Sequence, residues 1–291
     1  MNAVPTQDLA PPITDWYAAN ARDLPWRRPG TSPWSVMVSE FMLQQTPVSR
    51  VLPVHETWLS TWPTPTELAA APSGDAVRAW GRLGYPRRAL RLHASAVAIA
   101  ERYAGEVPDT YEELRSLPGV GDYTAAAIAS FAFGRSHAVL DTNVRRVLGR
   151  AVSGVEFPSA SVTKAERDLA TSLVPHSDPE VWAVAVMELG ALVCTASNPS
   201  CAVCPVRDQC AWERAGRPPY DGPARIAQTY AGTDRQCRGR LLAVLRDTEG
   251  TVPLTRLEAV WTDPVQRGRA LASLVTDGLV VLDGDDYALP G

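Results

Sequence analysis

The chain has 291 residues, 45% of them hydrophobic and 21% charged, with a formal net charge of −4 and five cysteines. That is enough chain for one large or two moderate globular domains. No apolar run approaches the ~20 residues of a membrane span, and the opening MNAVPTQDLAPPITDW lacks the basic-then-apolar order of a secretory leader. A cytoplasmic protein is therefore expected, with cysteines kept for metal binding or reactivity rather than for a disulfide framework. Of the 28 basic residues only Lys164 is a lysine, so Schiff-base chemistry has almost no amine to use.

Helical patterns dominate and alternating strand patterns are nearly absent before residue 240, which predicts an all-α fold. Expected helices lie at about 13–20, 33–44, 48–61, 75–82, 86–104, 110–116, 122–133, 142–152, 160–173 and 178–193, separated by Pro and Gly. Within the second, Glu40 has Val36, Met37 and Leu43 at helical offsets, so its own face is apolar. A carboxyl desolvated in this way tends to keep its proton and can act as a general acid; the alternative is a Glu bent toward solvent or paired with an Arg. Residues 78–91 carry five Arg and no acid, which suits either a phosphate backbone or a solvated helix face.

The string Leu117-Pro-Gly-Val-Gly121 joins two helices. Gly119 and Gly121 would let an anion approach backbone N–H groups at a helix start, although any helical hairpin can use Pro and Gly. Asp141, in VLDTNVRR, follows two apolar residues and precedes a helical pattern, so it reads as an N-cap that also stays ionised. Two carboxyl groups biased in opposite directions are what glycosidic cleavage needs: one protonates the leaving group and the other stabilises an oxocarbenium-like sugar or the attacking water.

Cys194-x6-Cys201-x2-Cys204-x5-Cys210 places four thiols within 17 residues. Structural zinc usually shows two close pairs and only one is present, so the spacing leans toward an iron–sulfur cluster while leaving zinc open. Cys237 stands apart as a small apolar residue. A Pro/Gly-rich linker is expected over 216–234. Residues 235–291 read as three short helices and a hairpin around Asp283-Gly-Asp-Asp286, a winged-helix-like α+β module. The segment from 247 onward carries eight acids and three Arg, and its acidic wing tip favours docking or spacing over groove binding.

Taken together, the apolar-flanked Glu, the LPGVG hairpin, the Asp-x-Asn and the cysteine run closely resemble the helix-hairpin-helix DNA glycosylases with a 4Fe–4S cluster. Within them the SEFMLQQT and LGYP stretches are similar to the MutY-type, A/G-specific adenine glycosylases, and the likeness covers about residues 13–215. It implies a two-lobed fold: a six-helix barrel over 27–136, a cluster lobe from 1–26 and 137–215, and the substrate between them. The activity it implies is removal of adenine mispaired with guanine or 8-oxoguanine, initiating base excision repair, by a monomer on double-stranded DNA in a bacterial, nucleoid-associated setting away from membranes. Tyr123 stands where the related endonuclease III carries its catalytic Lys, which implies a monofunctional enzyme.

By the same resemblance Glu40 protonates adenine N7, Asp141 stabilises the deoxyribosyl cation, and Tyr123 and Asn143 help hold Asp141 and the nucleophile. Trp26, Arg27, Leu43 and Val48 line the adenine pocket, and Gln45 and Tyr85 insert beside the partner base. Cys194, Cys201, Cys204 and Cys210 hold the cluster, with Arg207, Arg214 and Arg217 meeting phosphates around it. The chain departs from the family at Val184, where Gln or Glu is usual, which shifts adenine reading toward Arg27 and Glu188. Pro86 replaces a Tyr, and no Nudix-like C-terminal domain for 8-oxoguanine is expected.

Overall fold

The computed structural model describes residues 8–222 and 230–291. In chain order its helices are α1 (Ala10–Asn20), α2 (Pro33–Leu43), α3 (Val48–Thr61), α4 (Pro65–Ala70), α5 (Ser73–Trp80), α6 (Arg87–Arg102), α7 (Tyr111–Ser116), α8 (Asp122–Phe133) and α9 (Thr142–Leu148). They continue through α10 (Lys164–Ser172), α11 (Pro179–Leu192), α12 (Ala211–Arg214), α13 (Asp234–Arg246), α14 (Leu254–Glu258) and α15 (Pro264–Thr276). The strands β1 (Val281–Asp283) and β2 (Asp286–Ala288) pair antiparallel with Leu282 opposite Tyr287. The helical expectation holds, and the acidic turn makes the hairpin where the sequence places it. Of the expected linker, 223–229 lies outside the described residues. No helix among the described residues is long and apolar enough to cross a membrane.

Local chemistry sets the boundaries. Helix α4, not anticipated, is a capping box: Thr64 Oγ1 accepts from the Glu67 N–H while Glu67 Oε2 accepts from the Thr64 N–H at 2.9 Å. A second capping box at Thr163 and Glu166 starts α10 at 164 rather than 160. Helix α9 does not run to 152. It stops at Leu148 and continues as a π turn over Gly149–Ser153, which carries the buried Arg150.

The chain divides into two compact units. Among the described residues, one takes those of 1–36, 109–115 and 120–224, and the other those of 37–108, 116–119 and 225–291. In the first, α1 and α9 pack on α11 around Leu9, Ile13, Val147, Trp182 and Leu189. The Ala-rich α8 is buried at every position from Thr124 to Ser130, as a helix apolar on all sides requires, and it also packs on α11. In the second unit, α4 and α5 pack on α6, with Trp58 meeting Trp62 and Trp80 edge to face at 4.8 and 5.7 Å between ring centroids. The C-terminal helices belong to this unit. Arg246 of α13 donates to the carbonyls of Val77 and Gly81, Arg78 donates to those of Arg246 and Thr248, and the Gly74 N–H donates to Pro290 O at 2.8 Å. A Cβ on Gly74 would lie 2.3 Å from that oxygen, so only glycine admits the chain end there.

Candidate active site

Asp141 is the N-cap of α9, as its place in the sequence predicts. Its Oδ1 accepts from the Val144 N–H at 2.6 Å and its Oδ2 from Asn143 Nδ2 at 2.8 Å. The expectation of a carboxylate held down by the helix end needs correcting. Burial pushes the Asp141 carboxyl above its ordinary value, outweighing the Val144 and Asn143 bonds and the Arg146 charge. Asn143 is itself oriented, because Arg146 donates to its Oδ1 at 2.8 Å, to Gly190 O at 2.6 Å and to Cys194 O at 2.6 Å. Gly190 has no signal of its own in the sequence, yet a Cβ there would stand 2.7 Å from Asn143 Cβ. Tyr123 is half-buried and packs against the cluster of Ala126, Ala127, Ala183 and Val139, the last of which lies two residues before Asp141.

In the same unit Glu188 is completely buried and its two oxygens are saturated. Arg22 donates its backbone N–H and Nε to Oε1, at 3.1 and 2.7 Å, and Nη2 to Oε2, where Arg27 Nη1 also arrives at 2.7 Å. Burial works to raise this carboxyl, but the Arg22 bonds and the Arg27 charge outweigh it and hold it at about 2. Trp26, buried, shares the short 3-10 turn Pro25–Arg27 with Arg27, and Val184 is half-buried on α11. Arg22 escaped sequence reasoning because its partner lies 166 residues away.

The four cysteines from 194 to 210 line one small cavity with Arg150 and Trp212. No three His, Cys, Asp or Glu side chains among the described residues converge closely enough for a single ion. Thiols spread around one cavity suit a cluster, whose thiolates each take a different iron, better than one tetrahedral zinc. Burial pushes Cys201, Cys204 and Cys210 up, Cys204 to about 11, so these three thiols give up their protons only to strong positive charge. Arg150, 1% exposed, supports the loop by donating to Thr195 O at 2.8 Å and stacking over Trp212 at 4.7 Å. Cys237 is separate, buried in α13. Arg207 and Arg217 pair with Glu213 on the surface, exposed contacts that exchange readily for other anions.

In the second unit Glu40 is 4% exposed on α2, among Met37, Val38, Phe41 and Met42, all buried. Leu43 and Val48 are half-buried. Gln45 and Tyr85 are exposed and both hold left-handed backbone, at φ 54° and 48°. Non-glycine residues occupy that region only when their surroundings hold them there. The holding group is Arg88, which sequence reasoning left in a charge run. Its Nη1 reaches the carbonyls of Phe41, Met42 and Gln44, and its Nη2 reaches Thr46 Oγ1 and Gly84 O at 3.0 and 3.1 Å. Its guanidinium also lies 5.2 Å from the Tyr85 ring centroid. Burial lowers Arg88 to about 10, which leaves it a cation at neutral pH.

The hairpin glycines differ. Gly119 has φ 77° and a Cβ there would lie 2.6 Å from Arg91 Cβ, so packing demands glycine. Gly121, ahead of α8, has ordinary backbone, and a Cβ there would meet nothing within 4 Å. Open space beside N–H groups at a helix start is what an approaching phosphate needs.

Comparison with known proteins follows the same lines. Residues 38–171 match the HhH-GPD superfamily of base excision DNA repair proteins, and residues 194–210 match the iron–sulfur binding domain of endonuclease III. The adenine DNA glycosylase of Mycobacterium tuberculosis (strain H37Rv) is 54% identical over 281 residues, covering 95% of this chain and 91% of that protein. The chain belongs to the adenine DNA glycosylases. That of Mycolicibacterium smegmatis is 52% identical over 96% of this chain and 95% of its own length. Among solved structures a thermostable thymine-DNA glycosylase is similar at a TM-score of 0.64 and 26% identity, over 70% of this chain and 94% of its own. The chain therefore has the helix-hairpin-helix glycosylase fold and the 4Fe–4S cofactor of the family, the iron–sulfur match falling on the segment that carries the four cysteines.

Proposed function

We propose that this adenine DNA glycosylase hydrolyses the N-glycosidic bond of adenine mispaired with guanine or 8-oxoguanine in duplex DNA, without a lyase step. Glu40 gives its proton to N7 of the extruded adenine, the C1′–N9 bond breaks with its electron pair passing to the base, and Asp141 stabilises the sugar cation until water adds. Asn143 and Tyr123 keep Asp141 and the water in place. Trp26, Arg27, Leu43 and Val48 form the adenine pocket, with Glu188 fixing Arg27. Gln45 and Tyr85 enter the stack beside the partner base, and the turn from Gly119 to Gly121 accepts a phosphate.

The observation that carries this reading is the two-point grip on Asp141, Val144 N–H on one oxygen and Asn143 on the other. It fixes a carboxylate whose burial makes it a strong electrostatic partner for a developing cation. The absence of a lyase step is supported by Lys164, the chain's one lysine, which is exposed on α10 and paired with Asp168 at 2.6 Å. The test is a panel of duplexes with A, T or U opposite G or 8-oxoguanine, scored for base release with and without alkaline strand cleavage. Adenine release that requires alkali for strand scission is expected, and preferential release of T would overturn the reading.

A further inference from the structure

The C-terminal residues have no part in the chemistry above, yet they complete a groove lined by many arginines. Helix α13 faces the loop between α5 and α6 across a groove of about 1100 Å³. Nine of its nineteen lining residues are arginine, none is acidic, and Gln45 and Tyr85 stand in the same groove. Five of the nine meet oxygens of the protein: Arg50, Arg88, Arg238 and Arg246 reach carbonyl, hydroxyl or carboxylate oxygens, and Arg87, still largely exposed, pairs with Asp277 at 3.3 Å. Arg82, Arg87 and Arg91 are exposed on one wall, and Arg235 and Arg240 on the other. The last two are steadied from behind, Arg235 over the Tyr230 ring at 5.4 Å and Arg240 over that of Trp261 at 5.8 Å.

Charge within the module is segregated. Residues 230–246 hold four Arg and one Asp, net +3, while residues 247–291 hold three Arg and eight acids, net −5. The acidic wing, which argues against groove binding by the hairpin, does not line this groove. We propose that Arg235 and Arg240 of α13 bind the phosphodiester backbone of the duplex that Gln45 and Tyr85 enter, opposite Arg82, Arg87 and Arg91, so that the C-terminal module is one jaw of a DNA clasp. Repeated cations on two facing walls suit a repeating anion, and a groove shared with Gln45 and Tyr85 places that anion along the same duplex. The proposal rests on the DNA-glycosylase reading but not on which base is removed.

The test uses the full-length, cluster-loaded protein and a fluorescent duplex carrying a non-hydrolysable adenosine opposite 8-oxoguanine, titrated by anisotropy across a range of salt. For every phosphate that is no longer neutralised, the slope of log affinity against log salt falls by ~0.9. Arg235→Ala and Arg240→Ala should each lower it by that amount, the double variant by ~1.8 with affinity reduced on the order of tenfold at ~0.1 M salt. Arg235→Lys with Arg240→Lys should keep the slope, as should Arg256→Ala on an exposed part of α14 outside the groove. An unchanged slope in the folded double variant would overturn the proposal, and so would an equal loss in Arg256→Ala. Failure of the parent protein to release adenine, with these slope changes intact, would sink the substrate assignment and leave the clasp standing.

Discussion

Glu188 in one compact unit is an anion enclosed by two arginines, whereas Arg88 in the other is a cation whose described hydrogen bonds all end on carbonyl or hydroxyl oxygens. The first arrangement neutralises charge and fixes side chains: Arg22 anchors the segment after α1 to α11, and Arg27 is left with one position beside Trp26. The second uses charge to fasten backbone, drawing the end of α2 and the loop before α6 onto one guanidinium. The two loops it draws in are those that carry Gln45 and Tyr85 in left-handed conformation. A charge buried for rigidity is best paired, while one buried to hold strained loops must leave its donors for the backbone.

Removing Arg88 should have the larger effect of the two. Arg88→Met leaves several carbonyls without a partner and is expected to cost about 3–5 kcal/mol in urea denaturation. Arg88→Lys should recover little of this, because a point charge cannot reproduce the planar fork. Glu188→Gln should cost about 2–3 kcal/mol at neutral pH. Glu188 has its folded value depressed to about 2, so its contribution is fully present above the unfolded value near 4.5 and disappears as pH falls toward 2. Stability curves of parent and Glu188→Gln should therefore converge over that window and run parallel above it.

Gly190→Ala probes whether the Asp141 grip is equally rigid. A new Cβ at 2.7 Å from Asn143 should cost about 1–3 kcal/mol and slow excision more than it weakens duplex binding. The two hairpin glycines should separate, and the smallest effect belongs to Gly121. Gly119→Ala should cost about 2–3 kcal/mol, because a left-handed backbone and a 2.6 Å approach to Arg91 Cβ add, whereas Gly121→Ala should stay within about 0.5 kcal/mol in stability while weakening duplex affinity.

Much of this is legible in the sequence because it is local. The cysteine spacing, the LPGVG turn and the cap at Asp141 each depend on residues within one or two turns of one another. Arg88 is readable too, though a charge run hides it: it lies four residues before Leu92 and seven before Ser95, on the buried stripe of α6, while Arg87 and Arg91 lie off that stripe and are exposed. Arg22 and Gly190 are not readable, since one acts on a partner 166 residues away and the other matters only because α9 crosses α11 at that point. The direction of the Asp141 shift is also hidden, because helix capping is local and the burial that outweighs it is tertiary.

The most direct measurement is the single-turnover rate of adenine release from an A:8-oxoguanine duplex by Glu40→Gln and Asp141→Asn, with binding followed in parallel and the parent rate taken as a function of pH. Both variants should lose on the order of 10³-fold or more in rate while still binding the mispair, the loss expected when an essential acid or electrostatic group is removed. The parent rate should fall on the acid side through a value above the ordinary aspartate range, matching the raised Asp141 carboxyl. Near-parental release by either variant would contradict the two-carboxylate account.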